Sequence, residues 1–353
     1  MKVVVTMGTR PEIIRLYHTV KELYLSTIEC ASFFTSQNYE PNLSSDILDD
    51  PRFGEVFAGT RRFKIKGDSW LAQISPMTKM INNILAWEKP DKVLCLGDTN
   101  SALFTTLVAK KRGVPVYHME AGNRCYDPNS PEEINRKLID SIADVHLCYT
   151  EHARRNLLAE GVDANRIHVI GNPMAEFEEL HDSPRYIKEE IDILFTCHRQ
   201  ENERYITNLI AALLEFQDWD AINITLCLHP RFIEYFKDTP FKVIPSTNFS
   251  DFVELQKHSD VIITDSGTVC EEANMLRKPV VIIRNTTERP ELFEKGNVVL
   301  AGADNVNRLI DAIDFQIGAE DFEYELPDEY KYQSVSRRVV NILAGKGNYV
   351  IPS

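Results

Sequence analysis

The chain has 353 residues, of which 43% are hydrophobic and 26% are charged, a composition typical of a globular protein long enough for two domains. Its formal net charge of −14 disfavours a nucleic-acid partner, which needs a basic stripe to displace counterions. The sequence contains no apolar run close to the ~20 residues of a membrane helix, and polar residues follow the short, valine-rich segment 2–6 too soon for a signal peptide. The seven cysteines show no C-x-x-C spacing, which predicts a reducing, cytoplasmic location.

The first half of the chain alternates short apolar runs with helical patterns. We predict strands at 3–6, 31–35, 92–96, 114–118 and 145–149. We predict helices between them at 11–24, 69–87, 101–112 and 132–142. Nearly continuous apolar strands separated by helices indicate a parallel sheet that is covered on both faces.

The same alternation restarts in the second half. We predict strands at 191–196, 222–228, 242–244, 261–264 and 280–283, and helices at 204–216, 249–258 and 269–276. The chain is therefore predicted to be an α/β protein with two Rossmann-like, doubly wound domains, 1–171 and 172–331. A last helix, at about 332–343 within the segment 332–353, is expected to return to the first domain.

Five polar motifs follow predicted strands, where open α/β sheets bind their ligands. They are Gly-Thr-Arg-Pro (8–11), Gly-Asp-Thr-Asn (97–100), Glu-Ala-Gly-Asn-Arg (120–124), His-Arg-Gln-Glu-Asn (198–202) and Asp-Ser-Gly (265–267). Because the motifs come from both halves of the chain, we expect two facing sheets and one interdomain cleft.

The turn Asp265-Ser266-Gly267 leads from an apolar strand into a helical pattern. Such a turn offers free backbone N–H groups and the positive end of a helix dipole, which suit a phosphate. Glu272 lies nearly two turns along this helix, where we expect it to reach the hydroxyls of an attached sugar. Arg10, near another helix start, is electrostatically unfavourable without an anion and indicates a phosphate contact. These residues predict a bound sugar nucleotide.

Carboxylates at the other motifs have two interpretations. Taken alone, Asp98 is typical of a helix N-cap and Glu132 of a first helical turn, with Arg136 as its partner. If three carboxylates, including Glu120, converge on one cleft, their repulsion raises at least one pKa and makes acid and base forms available near neutrality. His198 lies in a polar cluster at a strand end and is predicted to be functional.

Other ligand classes have little support. The histidines lack metal-ligand spacing, so we predict no metal, and the absence of Gly-x-Gly-x-x-Gly gives no support for a dinucleotide. The segment 288–291 is typical of a capped helix start, whereas Arg284 and Arg289 indicate a contact with a diphosphate or with uracil.

Seven motifs in chain order resemble the UDP-N-acetylglucosamine 2-epimerase family over nearly the whole chain. They are residues 8–14, 97–99, 119–122, 131–136, 198–202, 265–267 with Glu271 and Glu272, and 286–291. The resemblance implies the GT-B fold, no metal or nicotinamide cofactor, and a homodimer. It also implies elimination of UDP to a 2-acetamidoglycal, followed by re-addition with C2 inverted.

The resemblance implies a role for each matching residue. Catalysis falls to Asp98, Glu120, Glu132 and His198, with their individual acid and base roles left open. The expected substrate-binding residues are Arg10, Arg15, Arg136, Ser266, Gly267, Arg289 and, for the ribose, Glu272.

Details of the motifs indicate a subtype. Thr99 after the Gly-Asp pair is similar to the non-hydrolysing branch, and residues 35–39 and 118–125 resemble enzymes that form UDP-N-acetyl-L-fucosamine. Arg15 stands where the N-acetylglucosamine enzymes commonly have Lys. The Gln-His pair that helps to bind an allosteric UDP-sugar is absent after Gln37, which leaves allosteric activation and the choice of sugar open.

Two other classes of protein share the nucleotide motifs. A GT-B glycosyltransferase needs them to use a UDP-sugar on a separate acceptor, but does not need three positioned carboxylates. A non-catalytic nucleotide-sugar sensor needs only the binding residues.

Overall fold

The computed structural model describes residues 1–35, 47, 50–65, 70–181, 189–217, 219, 221–319 and 324–345. The chain divides into two compact units, Met1–Glu176 with Tyr332–Ser353, and Phe177–Lys331. Residues 36–39 of the motif 35–39 lie outside the described residues, as do residues 182–188, which precede the first predicted strand of the second domain.

Unit 1 is built on a parallel sheet of seven strands among its described residues. They are β1 (Lys2–Met7), β2 (Glu29–Phe34), β3 (Arg61–Arg62), β4 (Lys92–Leu96), β5 (Val116–Met119), β6 (Val145–Cys148) and β7 (Ile167–Val169). Their order is β3-β2-β1-β4-β5-β6-β7. The order turns back at β1, so right-handed crossovers on its two sides cover opposite faces of the sheet.

The helices of unit 1 follow its strands in the crossover segments. They are Arg10–Leu25, Pro51–Phe57, Trp70–Glu88, Asn100–Lys111, Pro131–Ile142 and Glu151–Ala159. Strand interiors such as Val3, Val4 and Val5 are fully buried, as expected for a sheet with helices on both faces.

Unit 2 repeats this architecture with six described parallel strands. They are β8 (Ile191–Thr196), β9 (Ile222–Leu228), β10 (Lys242–Pro245), β11 (Val261–Thr264), β12 (Val280–Ile282) and β13 (Val298–Leu300), in the order β10-β9-β8-β11-β12-β13. Its α-helices are Ile206–Glu215, Pro230–Ile233, Phe249–His258, Gly267–Met275 and Val306–Ile317.

The helix Val335–Leu343 follows unit 2 in sequence but contributes to unit 1. It packs against the helix Arg10–Leu25, where Arg337 forms a 2.6 Å ion pair with Glu22. Ser336 donates from its backbone and hydroxyl to the carboxylate of Glu176, at 3.0 and 2.7 Å respectively. The chain therefore returns to its first unit after completing the second.

The ten predicted strands are all present, with ends displaced by at most two residues. Three short strands, β3, β7 and β13, were not predicted, and each lies at a sheet edge. Four described helices were not predicted: Pro51–Phe57, Glu151–Ala159, Pro230–Ile233 and Val306–Ile317. The last helix begins at Val335 rather than near 332. Within the described ranges, every helix is too short or too polar to cross a membrane.

Candidate active site

Two acidic residues leave the sheet of unit 1 at neighbouring positions. Strands β4 and β5 are paired in parallel with Leu96 opposite Met119, so Asp98 and Glu120 follow at the same edge. Gly97 and Glu120 both have left-handed backbones, with φ of 73° and 71°. This conformation is ordinary for glycine but costs a residue with a Cβ about 1–2 kcal/mol, so the surrounding structure must hold Glu120 in place.

Glu120 is held by an arginine from the first helix. The Nη1 of Arg15 lies 2.5 Å from Glu120 Oε2, and Asn123 Nδ2 donates to Oε1 at 3.4 Å. The side chain of Arg15 is only 3% exposed, and its guanidinium also lies over the ring of Tyr149, 5.7 Å from the centroid. A desolvated arginine in this position favours the ionised form of the carboxylate.

Asp98 is held by the helix Pro131–Ile142. Its carboxylate forms an ion pair with Arg136, and its backbone carbonyl accepts a 2.9 Å hydrogen bond from Asn135 Nδ2. The side chain of Asp98 is 26% exposed. The carboxylate is therefore fixed in place and remains accessible to a small molecule.

Glu12 links the start of the first helix to the Asp98 turn. Its buried carboxylate accepts hydrogen bonds from Thr99 Oγ1 at 2.7 Å, from the backbone N–H of Thr9 at 2.8 Å and from that of Gly8. Burial raises the pKa of Glu12 to about 7, and these hydrogen bonds oppose the rise. Arg10, predicted to contact phosphate, occupies the first position of this helix and is partly exposed.

The two glutamates at the start of the helix Pro131–Ile142 differ in their surroundings. Glu132 is partly exposed, and its carboxylate accepts a 3.1 Å hydrogen bond from Ser130, the helix N-cap. Glu133 is buried, lies 3.0 Å from Arg136 and accepts from the backbone N–H of Cys125 at 3.0 Å. Glu133 thus holds the arginine of the Asp98 pair, while Glu132 is open to solvent.

His198 lies at the corresponding edge of the sheet in unit 2. Strands β8 and β11 are paired with Thr196 opposite Thr264, so His198 and Asp265 follow adjacent strands. The Nδ1 of His198 lies 2.6 Å from Asp265 Oδ1, and the histidine side chain is 44% exposed. This geometry directs Nε2 away from the aspartate.

Asp265 is a functional candidate that the sequence reading treated only as part of a turn. It is fully buried and accepts from the backbone N–H groups of His198 and Arg199 and from Asn202 Nδ2, at 2.8 to 3.0 Å. Burial raises its pKa, but the attraction of His198 and these hydrogen bonds reverse the shift and hold the pKa well below its usual range. The signal for its role was its place at the end of a strand adjacent to that of His198.

The glycine turn of unit 2 begins the helix Gly267–Met275. Ser266 is the N-cap and accepts from the backbone N–H of Val269 at 3.4 Å. A Cβ on Gly267 would lie 2.6 Å from Glu288 Oε1, so a larger residue here would displace the Glu288 carboxylate. Further along the helix, Glu272 is buried and accepts a 2.7 Å hydrogen bond from Gln256 Nε2.

Arg289 is buried beside the same helix. Its Nε forms an ion pair with Glu271, and its Nη1 lies 3.9 Å from Glu288. Glu288 also pairs with Arg284 at 2.9 Å. The predicted binding arginine therefore belongs to a network of charges at the base of the turn. The network places positive and negative groups in alternation behind Gly267.

Comparison with known proteins gives a consistent result. The family model described as UDP-N-acetylglucosamine 2-epimerase matches residues 24–344. A UDP-N-acetylglucosamine 2-epimerase from Methanocaldococcus jannaschii is 33% identical over 348 residues, covering 90% of this chain and 92% of the relative. A UDP-2,3-diacetamido-2,3-dideoxy-D-glucuronate 2-epimerase from Pseudomonas aeruginosa is 32% identical over 318 residues, covering 86% and 89%.

A solved structure is similar over the same extent. The UDP-GlcNAc 2-epimerase of Methanocaldococcus jannaschii, crystallised with UDP-GlcNAc and UDP, has a TM-score of 0.86 at 31% identity, covering 98% of this chain and 100% of the other. The two parallel-sheet units thus confirm the predicted GT-B fold class. From the extent of these matches, the chain belongs to the UDP-N-acetylglucosamine 2-epimerase family.

Proposed function

We propose that this protein is a non-hydrolysing UDP-N-acetylhexosamine 2-epimerase. In the proposed reaction a base removes the C2 proton, the bond from C1 to the diphosphate oxygen breaks, and a C1–C2 double bond forms, which gives UDP and a 2-acetamidoglycal. UDP then re-adds to C1 while an acid returns a proton to the opposite face of C2. Atoms balance without a metal or a redox cofactor.

The observation that carries the proposal is the pair of carboxylates at adjacent strand ends of unit 1. Asp98 and Glu120 are each fixed against a buried arginine, Arg136 and Arg15 respectively. Removing and returning a proton on opposite faces of one carbon needs two positioned acid–base groups. A site that only binds a nucleotide has no use for such a pair.

We assign proton transfer to Asp98, Glu120 and Glu132, with their individual acid and base roles open. Glu132 is accessible to a substrate because its carboxylate is partly exposed. His198 is the fourth catalytic residue, since Asp265 orients its ring and leaves Nε2 to interact with substrate.

The leaving group is assigned mainly to unit 2. The N-terminus of the helix Gly267–Met275, with Ser266 and Gly267, suits the diphosphate, and Glu272 on this helix suits ribose hydroxyls. Arg10, Arg15 and Arg136 add positive charge for the substrate, and Arg289 steadies the turn through its buried ion pairs. Stabilising the charge on the departing UDP lowers the barrier to elimination.

The identity of the substrate sugar is less narrowly defined than the type of reaction. Relatives named for UDP-N-acetylglucosamine and for a diacetamido-glucuronate have nearly equal identity to this chain, 33% and 32%. Overall similarity therefore favours the UDP-linked 2-acetamido sugar class, and we propose UDP-GlcNAc and UDP-linked 6-deoxy-talosamine derivatives as the two substrates to compare.

Proton exchange in D2O tests the proposal. The purified chain is incubated with each UDP-sugar, and deuterium at C2 and epimer formation are followed by NMR. We expect deuterium at C2 with at least one substrate, no free sugar, and loss of exchange in Glu120→Gln. Transfer of labelled sugar to an acceptor without C2 exchange would identify a glycosyltransferase instead, and UDP binding without exchange would identify a sensor.

We also propose that the enzyme is a cytoplasmic homodimer that needs no metal and serves polysaccharide biosynthesis. The support is the family resemblance, together with seven cysteines that form no disulfide bond in the structure. Light scattering at working concentration tests the dimer, and activity after treatment with EDTA tests metal independence. A monomeric active enzyme would refute the first point, and loss of activity restored by a metal would refute the second.

A further inference from the structure

A buried histidine–aspartate pair lies beneath the two acidic turns of unit 1. His118 is in β5 and Asp140 is in the helix Pro131–Ile142, and both are fully or almost fully buried. Their His118 Nδ1 and Asp140 Oδ1 atoms are 2.7 Å apart. The roles proposed above for the acidic residues leave this pair unused.

His118 fixes the turn that carries Asp98. Its Nε2 donates to the carbonyl oxygen of Gly97 at 2.8 Å. The backbone N–H of Gly97 in turn donates to the carbonyl of Met119 at 3.0 Å. The residue directly before Asp98 is therefore tied by both of its backbone groups to strand β5.

Asp140 fixes the turn that carries Glu120. Its Oδ2 accepts from the backbone N–H of Gly122 at 3.0 Å and lies 2.8 Å from Arg124 Nη1. The strained Glu120 is thus bracketed, with His118 two residues before it and Gly122 two residues after it. A left-handed non-glycine backbone persists only where its neighbours are held in this way.

The hydrogen-bond partners of His118 and Asp140 indicate which of their atoms carry protons. The Gly97 carbonyl only accepts, so Nε2 of His118 carries a proton. Burial raises the pKa of Asp140, but His118 and Arg124 lower it more strongly, to about 2, so Asp140 is ionised. An ionised carboxylate only accepts hydrogen bonds, so Nδ1 of His118 must also donate. The ring thus donates from both nitrogens, to the Asp140 carboxylate and to the Gly97 carbonyl.

One helix therefore reaches both turns. Asn135 and Arg136 hold the carbonyl and carboxylate of Asp98, and Asp140 holds Gly122 and, through His118, Gly97. Loss of Asp140 would release both turns from this common support.

We propose that His118 and Asp140 are positioning residues that set the separation of the Asp98 and Glu120 carboxylates. Neither contacts the substrate, and both act by holding the backbone on which these carboxylates sit. The kinetic part of this inference rests on the proposed epimerase function. The geometric part stands on the structure of unit 1 by itself.

His146 provides a matched control. It lies opposite His118 in the next strand, is also fully buried, and donates from Nε2 to a backbone carbonyl, that of Asp140, at 2.8 Å. His146→Leu and His118→Leu thus remove equal volumes and one buried donor to a carbonyl each. His118→Leu alone removes a direct contact with an acidic turn.

We expect His118→Leu and Asp140→Asn to lower kcat about 100-fold with KM within about threefold of wild type, because small displacements of reacting groups are costly. His146→Leu should leave kcat within about twofold, and it should lower the melting temperature less than His118→Leu, which leaves the buried Asp140 carboxylate without its histidine partner. Equal kcat losses in both histidine variants, or a loss confined to KM, would overturn the proposal. Asp140→Asn keeps the test open if His118→Leu fails to fold.

A measurement without substrate separates this inference from the proposed function. Nitrogen-15 NMR of wild type should show both ring nitrogens of His118 protonated and exchanging slowly, and Asp140→Asn should abolish the protected Nδ1 proton. A single-proton, rapidly exchanging ring would overturn the geometric part. A wild-type chain with no C2 exchange but with the protected ring protons would overturn only the epimerase function.

Discussion

Glu120 combines a costly backbone with a carboxylate that is only 10% exposed. The left-handed conformation costs about 1–2 kcal/mol, and removing a carboxylate from water costs several more unless a cation compensates. Arg15 at 2.5 Å provides that compensation. Glycine would fit this backbone better and an apolar side chain would fit the burial better, so local stability alone does not account for a glutamate here.

Glu12 makes a prediction about pH and stability. Burial raises its pKa from 4.5 to about 7, so the folded state keeps its proton at pH values where the unfolded state has lost it. This stabilising contribution is complete below pH 4.5 and is lost as pH rises through 7. Between pH 5 and 8 we expect the melting temperature of Glu12→Gln to fall less than that of wild type. The corresponding difference in the free energy of unfolding is at most about 3 kcal/mol.

Glu291 provides the control for this prediction. Its pKa is also raised to about 7 by burial, although it lies in unit 2 and accepts a 3.1 Å hydrogen bond from Tyr330. Glu291→Gln should remove a separate share of the decline, and the two effects should add because the sites share no partner. A wild-type pH profile in Glu12→Gln would contradict the assignment.

The contact between Asp265 and His198 is a feature of the candidate site that could not be predicted from the sequence. The motif residues at strand ends were predictable because polar side chains rarely interrupt a buried apolar strand without a role. The partner of His198 was not, because it lies 67 positions further along the chain and the pairing depends on which strands are adjacent. Strand order is a property of the folded sheet that hydrophobic periodicity does not report.

The Glu120 turn packs closely against the helix Glu151–Ala159. A Cβ on Gly122 would lie 2.2 Å from the carbonyl oxygen of Ala153, and φ is 83°. Gly161 has nearly the same backbone, with φ of 86°, but no atom lies within 4 Å of its Cβ position. Substituting each glycine in turn therefore distinguishes the energetic cost of a steric clash from the cost of a left-handed backbone conformation.

We expect Gly161→Ala to destabilise the fold by about 1 kcal/mol, the cost of a left-handed alanine. Gly122→Ala should cost about 2–3 kcal/mol more, because the helix must move away from the turn. Urea unfolding followed by circular dichroism measures both. Equal losses would mean that the turn and the helix separate without penalty.

The predictability of strands depended on their position in the sheet. Central strands such as β4 and β11 are buried on both faces and appear in the sequence as continuous apolar runs. The unpredicted strands β3, β7 and β13 have two or three residues and lie at edges, where one neighbour suffices and the pattern is too short to detect. Sequence alone therefore located the interior of each sheet better than its margins.

At the scale of the whole molecule, we predict the effect of removing the helix Val335–Leu343 by truncating the chain. We expect a chain ending at Lys331 to lose protection from hydrogen exchange in the helix Arg10–Leu25, by about tenfold or more, because a buried partner is missing. Strand Ile191–Thr196 of unit 2 should keep its protection. Mass spectrometry of exchanged peptides measures both regions.

Arg337→Ala in the full-length chain is the control for truncation. It removes only the exposed end of the contact with Glu22, worth about 0.2–1 kcal/mol, and should leave exchange nearly unchanged. Equal loss of protection in both units of the truncated chain would show that the last helix supports the whole molecule rather than unit 1.

This last helix also determines the order in which a nascent chain can finish folding. Unit 2 is continuous in sequence, so its described strands and helices have all been synthesised before the final helix is made. Most of unit 1 is synthesised first, but the face of its helix Arg10–Leu25 that packs against the last helix stays uncovered until that helix is made. Until the last helix docks, this face stays exposed, and transiently exposed apolar surface of this kind is prone to aggregation and calls for chaperones.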